Sequence, residues 1–380
     1  MIKGVLVVFH CAESTGYAIS SLEDVFLKVA QNLSPGNVHF SFKKLQTAPA
    51  DSRKHRDFGV LCFDPYSESN LEIKKLSEYV KKNEIDLVLG FDQPPGRKYY
   101  RHLRSAGVNK IISYWGAPMS GINSGLKLFL KKMEMLLRVY SPDLYLFESN
   151  AMRETAVYGR GINKSKTAVT YLGVDSEKFK PNIERRSYVY NVFGIPKNRH
   201  IVYYSGHMEK RKGIATIMHA ARHIIDERRC NDIHFLLLGN KGGESNEYLK
   251  ILRTSKALSH VTFGGYRDDV EKILSGCSIG VIASTGWDSF TMSSLEMASS
   301  GLPLVVSNLQ GLSETVDHGV TGFVFKPGDH YELADKIIYL LGNPQILKEF
   351  SVKSRARILN KFTKEHQIFS IYGAISSVLD

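Results

Sequence analysis

The sequence predicts an α/β protein made of two domains, each built on a doubly wound parallel sheet. Two series of short apolar runs alternate with helical patterns, which is the rhythm of repeated strand-helix-strand units. A polar, basic stretch broken by two prolines, Phe179–Pro196, separates the two series. The length of 380 residues also exceeds the size at which a single hydrophobic core stops growing. We therefore place a domain linker at Phe179–Pro196.

The N-terminal series begins with the apolar run GVLVVFH and the helical pattern LEDVFLKVAQNL, and continues through DLVLGF, KIISYWG and DLYLFES. The first of these runs resembles the start of a signal peptide, but it is brief, is interrupted by His10 and lacks a small-residue cleavage site. We interpret it as the first buried strand. The C-terminal series contains HIVYYSG, IHFLLLGN, HVTFGGY, IGVIAS and PLVVS and ends in a helical region from Tyr331. In the tail, Phe369, Tyr372 and Ile375 have helical spacing.

Composition indicates a globular protein of a reducing compartment. The hydrophobic share of 43% and the charged share of 23% are ordinary for folded domains. No window is apolar for long enough to span a bilayer. The four cysteines are scattered without paired spacing, which predicts neither a zinc site nor a disulfide framework: Cys11, Cys62, Cys230 and Cys277. We therefore expect a cytoplasmic protein.

The net charge of +12 favours an anionic partner. Residues 1–170 carry +8 of it and the remaining residues +4. This asymmetry suggests an anionic acceptor or a peripheral position at the inner membrane face, with nucleic acid as the less favoured partner because nothing but charge supports it. Lysine pairs at 74–75, 81–82 and 131–132 lie on predicted helices, and solvated helix faces are the alternative interpretation.

The clearest binding signal lies around two acidic residues in the C-terminal half. CSIGVIAS is typical of a buried strand, GWDSFT of a loop, SSLEMASSG of a helix ended by Gly301, and PLVVS of the next strand. Asp288 falls in the loop, and Glu296 follows about two helical turns later. Loops of this kind lie at the carboxyl ends of the strands, where helix N-terminal amides favour phosphate groups.

A basic loop, SGHMEKRKG, lies between an earlier strand and its helix. Positive charge at a helix N-terminus opposes the helix dipole, so it indicates a bound anion. Lys212 is the strongest candidate to hold that anion.

Five segments in this order resemble the retaining, nucleotide-sugar-dependent glycosyltransferases of family 4, which have the GT-B fold. They are TGYAISSLEDVF, TYLGVDSEKFKP, YSGHMEKRKGI, the acidic pair and GLSETVDHGVTGFVFKPGD. The resemblance implies two Rossmann-like domains that face a cleft. It assigns residues 1–180 to an acceptor domain, completed by a C-terminal helix (residues 362–380) that crosses back to it. Residues 181–361 then form the nucleotide-sugar donor domain.

The resemblance also implies roles for individual residues. Lys212, Asp288 and Glu296 would be catalytic, holding the diphosphate, the donor sugar and the ribose hydroxyls. The further donor-binding residues would be Gly16, Gly206, His207, Arg211, Ser289, Phe290, Thr291, Gly239, Tyr266 and Arg267. Asp92, Gln93 and Trp115 would line the acceptor and sugar pocket, although turn or core roles are the alternatives for these three.

Three positions depart from the family pattern. His207 stands where an arginine is expected and is a weaker clamp, for which Arg211 or Lys210 could compensate. Asp288 replaces a glutamate and shortens its reach. Trp115 replaces a histidine, which excludes a histidine base there but leaves a mechanism of positioning and electrostatics intact. Asp268 and Asp269 are interpreted as helix caps, so we predict no metal and no cofactor beyond the nucleotide-sugar cosubstrate.

The expected activity is transfer of a hexose-type sugar from a nucleotide-diphosphate donor, UDP or GDP, to an acceptor hydroxyl. Cell-surface glycan or lipopolysaccharide synthesis is the expected context, with a glycan, a lipid or a small molecule as acceptor. Alternatives are a nucleotide-sugar epimerase on the same fold, a non-catalytic binding module, and a transferase acting on a small metabolite or nucleic acid. The sequence leaves the donor sugar, the nucleotide, the acceptor and the oligomeric state open.

Overall fold

The chain divides into two compact units in a computed structural model that describes residues 2–45, 58–138 and 140–379. One unit comprises Met1–Tyr171 together with Glu365–Asp380, and the other comprises Leu172–Lys364. Both are parallel sheets flanked by helices, as the sequence predicts.

The N-terminal unit holds a seven-stranded sheet. Its strands are β1 (Val5–Val8), β2 (Val38–Phe42), β3 (Gly59–Cys62), β4 (Leu87–Phe91), β5 (Lys110–Trp115), β6 (Leu144–Phe147) and β7 (Thr167–Val169). They are arranged β3-β2-β1-β4-β5-β6-β7, and every pair is parallel. The helices are α1 (Gly16–Leu33), α2 (Asn70–Lys82), α3 (Lys98–Ser105), α4 (Gly125–Leu137) and α5 (Asn150–Glu154).

Strand β1 shows why these runs form a central sheet. All four of its residues, Val5–Val8, are buried, because helices cover both faces of a parallel sheet and favour continuous apolar strands over alternating ones. The chain leaves β1 toward β2 and β3, then returns to β4 on the other side. The carboxyl ends of β1 and β4 therefore form a switch point, the usual location of a ligand in such sheets.

The C-terminal unit holds a six-stranded parallel sheet that, like the first, has a switch point in its strand order. Its strands are β8 (His200–Ser205), β9 (Ile233–Leu238), β10 (Val261–Phe263), β11 (Ile279–Ile282), β12 (Leu304–Ser307) and β13 (Gly322–Phe325). The order is β10-β9-β8-β11-β12-β13, all parallel. Its helices are α6 (Tyr188–Phe193), α7 (Ile214–Arg222), α8 (Ser245–Leu249), α9 (Val270–Leu274), α10 (Met292–Ser299), α11 (His330–Gly342) and α12 (Pro344–Lys361). Here the switch point lies between β8 and β11.

The last helix, α13 (Lys364–Ser376), belongs largely to the N-terminal unit. It buries Gln367, Ile371 and Ile375, and the Gln367 amide donates a hydrogen bond to the Tyr114 hydroxyl at 3.3 Å. The helical spacing of the tail is confirmed, although Phe369 is exposed and of the three spaced residues Ile375 is the buried one. The buried positions of this helix are spaced four residues apart. The first of them is the polar residue Gln367, which is bonded to the buried Tyr114 hydroxyl. Among the described residues, no helix is long and apolar enough to cross a membrane.

The boundary between the units differs from the expected one. The division falls at Tyr171 and Leu172, so the stretch Phe179–Pro196 lies within the C-terminal unit. This stretch is held by packing and hydrogen bonds, since Ser299 Oγ and Arg355 Nη1 both donate to the carbonyl of Phe179. Its proline and basic content reflects surface turns around α6.

Candidate functional site

An ion pair marks the switch point of the C-terminal unit. Lys212 comes from the loop after β8, and Asp288 comes from the loop after β11, the neighbouring strand. The Lys212 ammonium donates to both carboxylate oxygens of Asp288, at 3.0 Å and 2.9 Å. Two predicted catalytic residues, 76 positions apart in sequence, thus meet because their strands are adjacent.

The Asp288 carboxylate is buried and fully engaged. Only 5% of its side chain is exposed, against 16% for Lys212. Besides the ammonium, it accepts from Ser284 Oγ at 2.6 Å and from the Ser289 backbone N–H at 3.1 Å. A carboxylate offers about four lone-pair sites, so these four hydrogen bonds use its acceptor capacity. Such satisfaction is what allows a charge to be buried at all.

The two loops are joined through their backbones. The N–H groups of Thr285 and Gly286 donate to the carbonyl of Arg211, at 2.7 Å and 3.2 Å. Gly213 has a φ of 73°, and a Cβ atom there would lie 1.7 Å from the Ala283 carbonyl oxygen. Only glycine fits this close approach in a left-handed conformation. These backbone contacts between the two loops therefore fix the position from which the Lys212 side chain extends.

The other charges of the basic loop have different partners. The Arg211 guanidinium donates to Glu209 at 2.6 Å and to the Trp287 carbonyl at 2.9 Å, and it lies 4.2 Å from the centre of the Trp287 ring. His207 is exposed, with its ring 3.8 Å from the Glu209 carboxylate. Lys210 is 85% exposed and lies 3.6 Å from Glu247. Lys212 is thus the cation of this loop that the fold directs onto Asp288.

Ser289 and Phe290, which follow Asp288, are buried, and Thr291 is partly exposed. Phe290 packs on Phe362 with ring centres 5.0 Å apart. Thr291 caps α10, its hydroxyl accepting from the Ser294 backbone N–H. Ser289 is also buried, and its hydroxyl has no hydrogen-bond partner within the described part of the chain. An unpartnered buried hydroxyl on the residue next to Asp288 is a group that a ligand could complete.

Glu296 lies within α10 and is buried, as are Leu295, Met297 and Ala298 around it. This confirms the expectation of a largely buried helix at that position.

Two further predicted residues, Gly206 and Gly239, lie in the loops after β8 and β9. The N–H of Gly239 donates to the Gly265 carbonyl at 2.8 Å. A Cβ atom on Gly239 would lie 2.2 Å from the carbonyl oxygen of Gly206, so the loops after β8 and β9 touch there.

Two of the predicted donor-binding residues, Tyr266 and Arg267, lie on the loop after β10. Tyr266 is exposed. Arg267 donates to both oxygens of Asp269, at 2.8 Å and 2.5 Å, and the Tyr188 hydroxyl donates to the same carboxylate at 2.6 Å. The hydrogen bond from Arg267 lowers the pKa of Asp269 to about 2. Asp269 stands at the N-cap of α9 but makes no side-chain cap bond, because its carboxylate is held by Arg267.

At the switch point of the N-terminal unit, His10 meets the end of β4. Its ring stacks on Phe91 with centres 5.3 Å apart, and its Nδ1 atom lies 3.2 Å from the Phe91 carbonyl oxygen. Gly16 has a φ of 79° with open space around its Cβ position. Asp92 has a φ of 50° and accepts from the Gly116 N–H at 3.0 Å. Burial raises the pKa of the Asp92 carboxyl to about 7.

Gln93 and Trp115 are placed in the core of this unit. The Gln93 amide donates to the Phe91 carbonyl at 2.7 Å and accepts from the Tyr99 hydroxyl at 3.0 Å. The Trp115 indole N–H donates to Ser113 Oγ at 2.8 Å, while its ring packs in a buried cluster with Tyr145 and its neighbours. Both side chains therefore have structural partners.

Two residues of the site are not among the sequence candidates. Ser284 ends the apolar run of β11 and donates to Asp288. Gln310, from the loop after β12, accepts from the Asp288 backbone N–H at 3.3 Å. A polar residue at the end of an apolar strand is a signal that points to Ser284, whereas nothing in the sequence singles out Gln310. Groups of three or more His, Cys, Asp or Glu side chains that could hold a metal are absent from the described residues.

Two Rossmann-like parallel-sheet units, one carrying a lysine at its switch point, define the class of two-domain GT-B proteins. Residues 199–343 match the family described as glycosyl transferases group 1. These residues lie within the C-terminal unit, and the protein is a glycosyltransferase. The resemblance to glycosyltransferases with the GT-B fold is thereby confirmed.

Known proteins agree with this assignment. The chain is 25% identical over 290 residues to UDP-Gal:alpha-D-GlcNAc-diphosphoundecaprenol alpha-1,3-galactosyltransferase of Escherichia coli, covering 76% of this chain and 74% of that protein. It is 26% identical over 338 residues to N-acetyl-alpha-D-glucosaminyl L-malate synthase of Bacillus anthracis, covering 84% and 81%. Among solved structures, Anabaena HepE in complex with UDP matches with a TM-score of 0.76 at 18% identity, over 98% of this chain and 100% of HepE.

Proposed function

We propose that the C-terminal unit binds a nucleotide-diphosphate sugar and that the protein transfers a hexose-type sugar to an acceptor hydroxyl with retention. The observation that carries this proposal is the Lys212 ammonium held at the switch point between β8 and β11. A diphosphate gains negative charge as the sugar bond breaks, and a fixed cation stabilises that change more than it stabilises the ground state. The names of the E. coli relative and of the HepE complex favour UDP as the nucleotide.

Because the Asp288 carboxylate is already hydrogen-bonded, we propose separate roles for Asp288, Ser289 and Glu296. Because its hydrogen bonds to Lys212, Ser284 and Ser289 use its acceptor sites, we assign it to positioning the lysine, and contact with the donor sugar would require those bonds to rearrange. The buried, unpartnered hydroxyl of Ser289 is then a group that could bond a phosphate or sugar oxygen. Glu296, about one turn into α10, keeps its proposed role on the ribose.

Catalysis in this proposal consists of positioning and electrostatics. The acceptor attacks on the face that the diphosphate leaves, a departing oxygen takes its proton, and no protein nucleophile is formed. Lys212 and the backbone amides before α10 balance the charge of the leaving group, which makes a metal unnecessary. The acceptor is proposed to be a lipid-linked sugar, as in the name of the E. coli relative, or a cell-surface glycan. A lipid-linked acceptor would place the protein at the cytoplasmic face of a membrane.

The test compares two lysines of one loop. Lys212→Ala is expected to lower kcat/KM for the donor at least tenfold, measured as transfer or slow hydrolysis across UDP- and GDP-sugars with EDTA present. Lys210→Ala is the matched control, because that side chain is 85% exposed and should change the rate less than twofold. Equal effects of the two variants would refute the assignment, and an EDTA-sensitive rate would refute metal independence. NMR of the product anomer decides between retention and inversion.

A further inference from the structure

Helix α4 turns its apolar side chains away from the protein. None of the residues that the structure describes in this helix is buried. Six large apolar side chains are between 41% and 78% exposed: Leu126, Phe129, Leu130, Met133, Leu136 and Leu137. At about 100° per residue they cover an arc of roughly 120°, which is one continuous face. Contiguous apolar surface of this kind marks an interaction site.

The opposite face of α4 attaches it to the fold. Met135 packs against the buried cluster that contains Trp115. Glu134 accepts from Lys131 at 2.8 Å and from Arg138 at 2.5 Å, so these charges lie along the helix and its inner edge. A Cβ atom on Gly161 would lie 2.6 Å from the backbone of Lys131, which shows how closely the helix approaches the chain beneath it. The outward apolar face is therefore fixed by packing.

The surroundings of this face are strongly basic. Residues 122–138 and 157–166 contain seven Lys or Arg residues and a single acidic residue, Glu134. Lys127 and Lys132 are exposed and flank the apolar arc on its two sides. A cavity of about 560 Å³ opens beside the helix, and its cationic lining residues are Lys132, Arg138, Lys164 and Lys166. Half of the chain's net charge of +12 is thus concentrated around one apolar helix.

We propose that α4 docks the protein on an anionic membrane surface. The apolar face enters the boundary between headgroups and acyl chains, and the flanking lysines reach lipid phosphates, as long cationic side chains do at interfaces. A second copy fits the same face poorly, because a two-fold interface would bring two basic patches together. The inference extends the proposed acceptor side of the reaction but does not depend on the donor chemistry.

The test is co-sedimentation of the full chain with lipid vesicles in the absence of any nucleotide sugar. We expect binding to vesicles of phosphatidylcholine with one third phosphatidylglycerol, and at least tenfold weaker binding to phosphatidylcholine alone. The triple variant Leu126→Ser, Leu130→Ser and Leu137→Ser should lower partitioning more than tenfold. Lys127→Gln with Lys132→Gln should lower it about thirtyfold, since each lysine near an anionic surface contributes roughly fivefold.

Val352→Ser is the matched control, an exposed apolar residue (63%) on helix α12 of the other unit, and should change binding less than twofold. The substituted residues of α4 are exposed, so all variants should keep the wild-type melting temperature. Equal binding to both vesicle types, or no effect of the leucine variant, would overturn the proposal. So would a wild-type dimer in sedimentation velocity that the leucine variant converts to a monomer. Because no donor is present, failure here is distinguishable from failure of the transferase assignment.

Discussion

Removing the Lys212 side chain should destabilise the C-terminal unit even without substrate. Two unit charges 2.9 Å apart attract by about 6 kcal/mol at an effective dielectric constant of about 20, before desolvation is subtracted. Breaking a buried pair by deleting one partner costs roughly 3–5 kcal/mol. We expect the lower end, about 3 kcal/mol, for Lys212→Met, because Ser284 and the Ser289 N–H still bond the carboxylate.

The two partners should respond unequally. The short Asp288 side chain is 5% exposed and cannot reach water, whereas the long Lys212 side chain is 16% exposed and can extend to solvent. Asp288→Asn should therefore cost less, about 1–2 kcal/mol. The double variant should cost about 2 kcal/mol less than the sum of the two, since it leaves no lone buried charge.

Urea titration measures this cycle, followed by the fluorescence of Trp287 in a Trp115→Phe background. The chain has two tryptophans, so Trp287 then reports on the C-terminal unit alone. Additive losses, with a coupling free energy under about 0.5 kcal/mol, would refute the view that this pair is a single buried unit.

Two further predictions concern the backbone and the pH response. Gly213→Ala should lower the free energy of unfolding by at least about 2 kcal/mol, because its Cβ atom would meet the Ala283 carbonyl at 1.7 Å; Gly342→Ala, with open space around it, is the control in the same urea titration. Burial raises the pKa of Asp92 from 3.8 to about 7, so the native state holds that proton more tightly and the stability of the N-terminal unit should fall as pH rises through this window. Asparagine tolerates the φ of 50° at this position, so Asp92→Asn should flatten this decline in calorimetric scans between pH 4 and pH 8. A variant whose stability falls with pH in parallel with that of the wild type would contradict the reasoning.

Most of the sheet could be predicted because its strands are buried on both faces. The runs VLVV, LVLGF and IHFLLL are nearly free of polar residues, and each is a strand in the structure. Strand β2 was missed because VHFSF alternates apolar with polar residues, yet all five are buried. The ring of His39 makes this possible, since it bonds the Tyr79 hydroxyl and the Asn37 side chain, each at 2.8 Å.

The candidate site was predictable as a set of residues but not as a geometry. Loop residues at the ends of apolar strands identified Lys212 and Asp288, whereas their contact depends on β8 lying next to β11. Sequence spacing cannot supply that strand order. The same limit applies to α4, where Lys131 and Lys132 predicted a basic helix but only packing shows that the leucines face outward.

The backbone bonds between the loops after β8 and β11 have an evolutionary consequence. Because Thr285 and Gly286 are tied to the Arg211 carbonyl and Gly213 abuts Ala283, neither loop can lengthen or shorten without displacing the other. Natural selection should therefore remove insertions and deletions in the part of the gene that encodes these two loops. A change of donor preference should instead arise by point substitution at neighbouring side chains such as Ser289, while the lengths of the two loops stay the same.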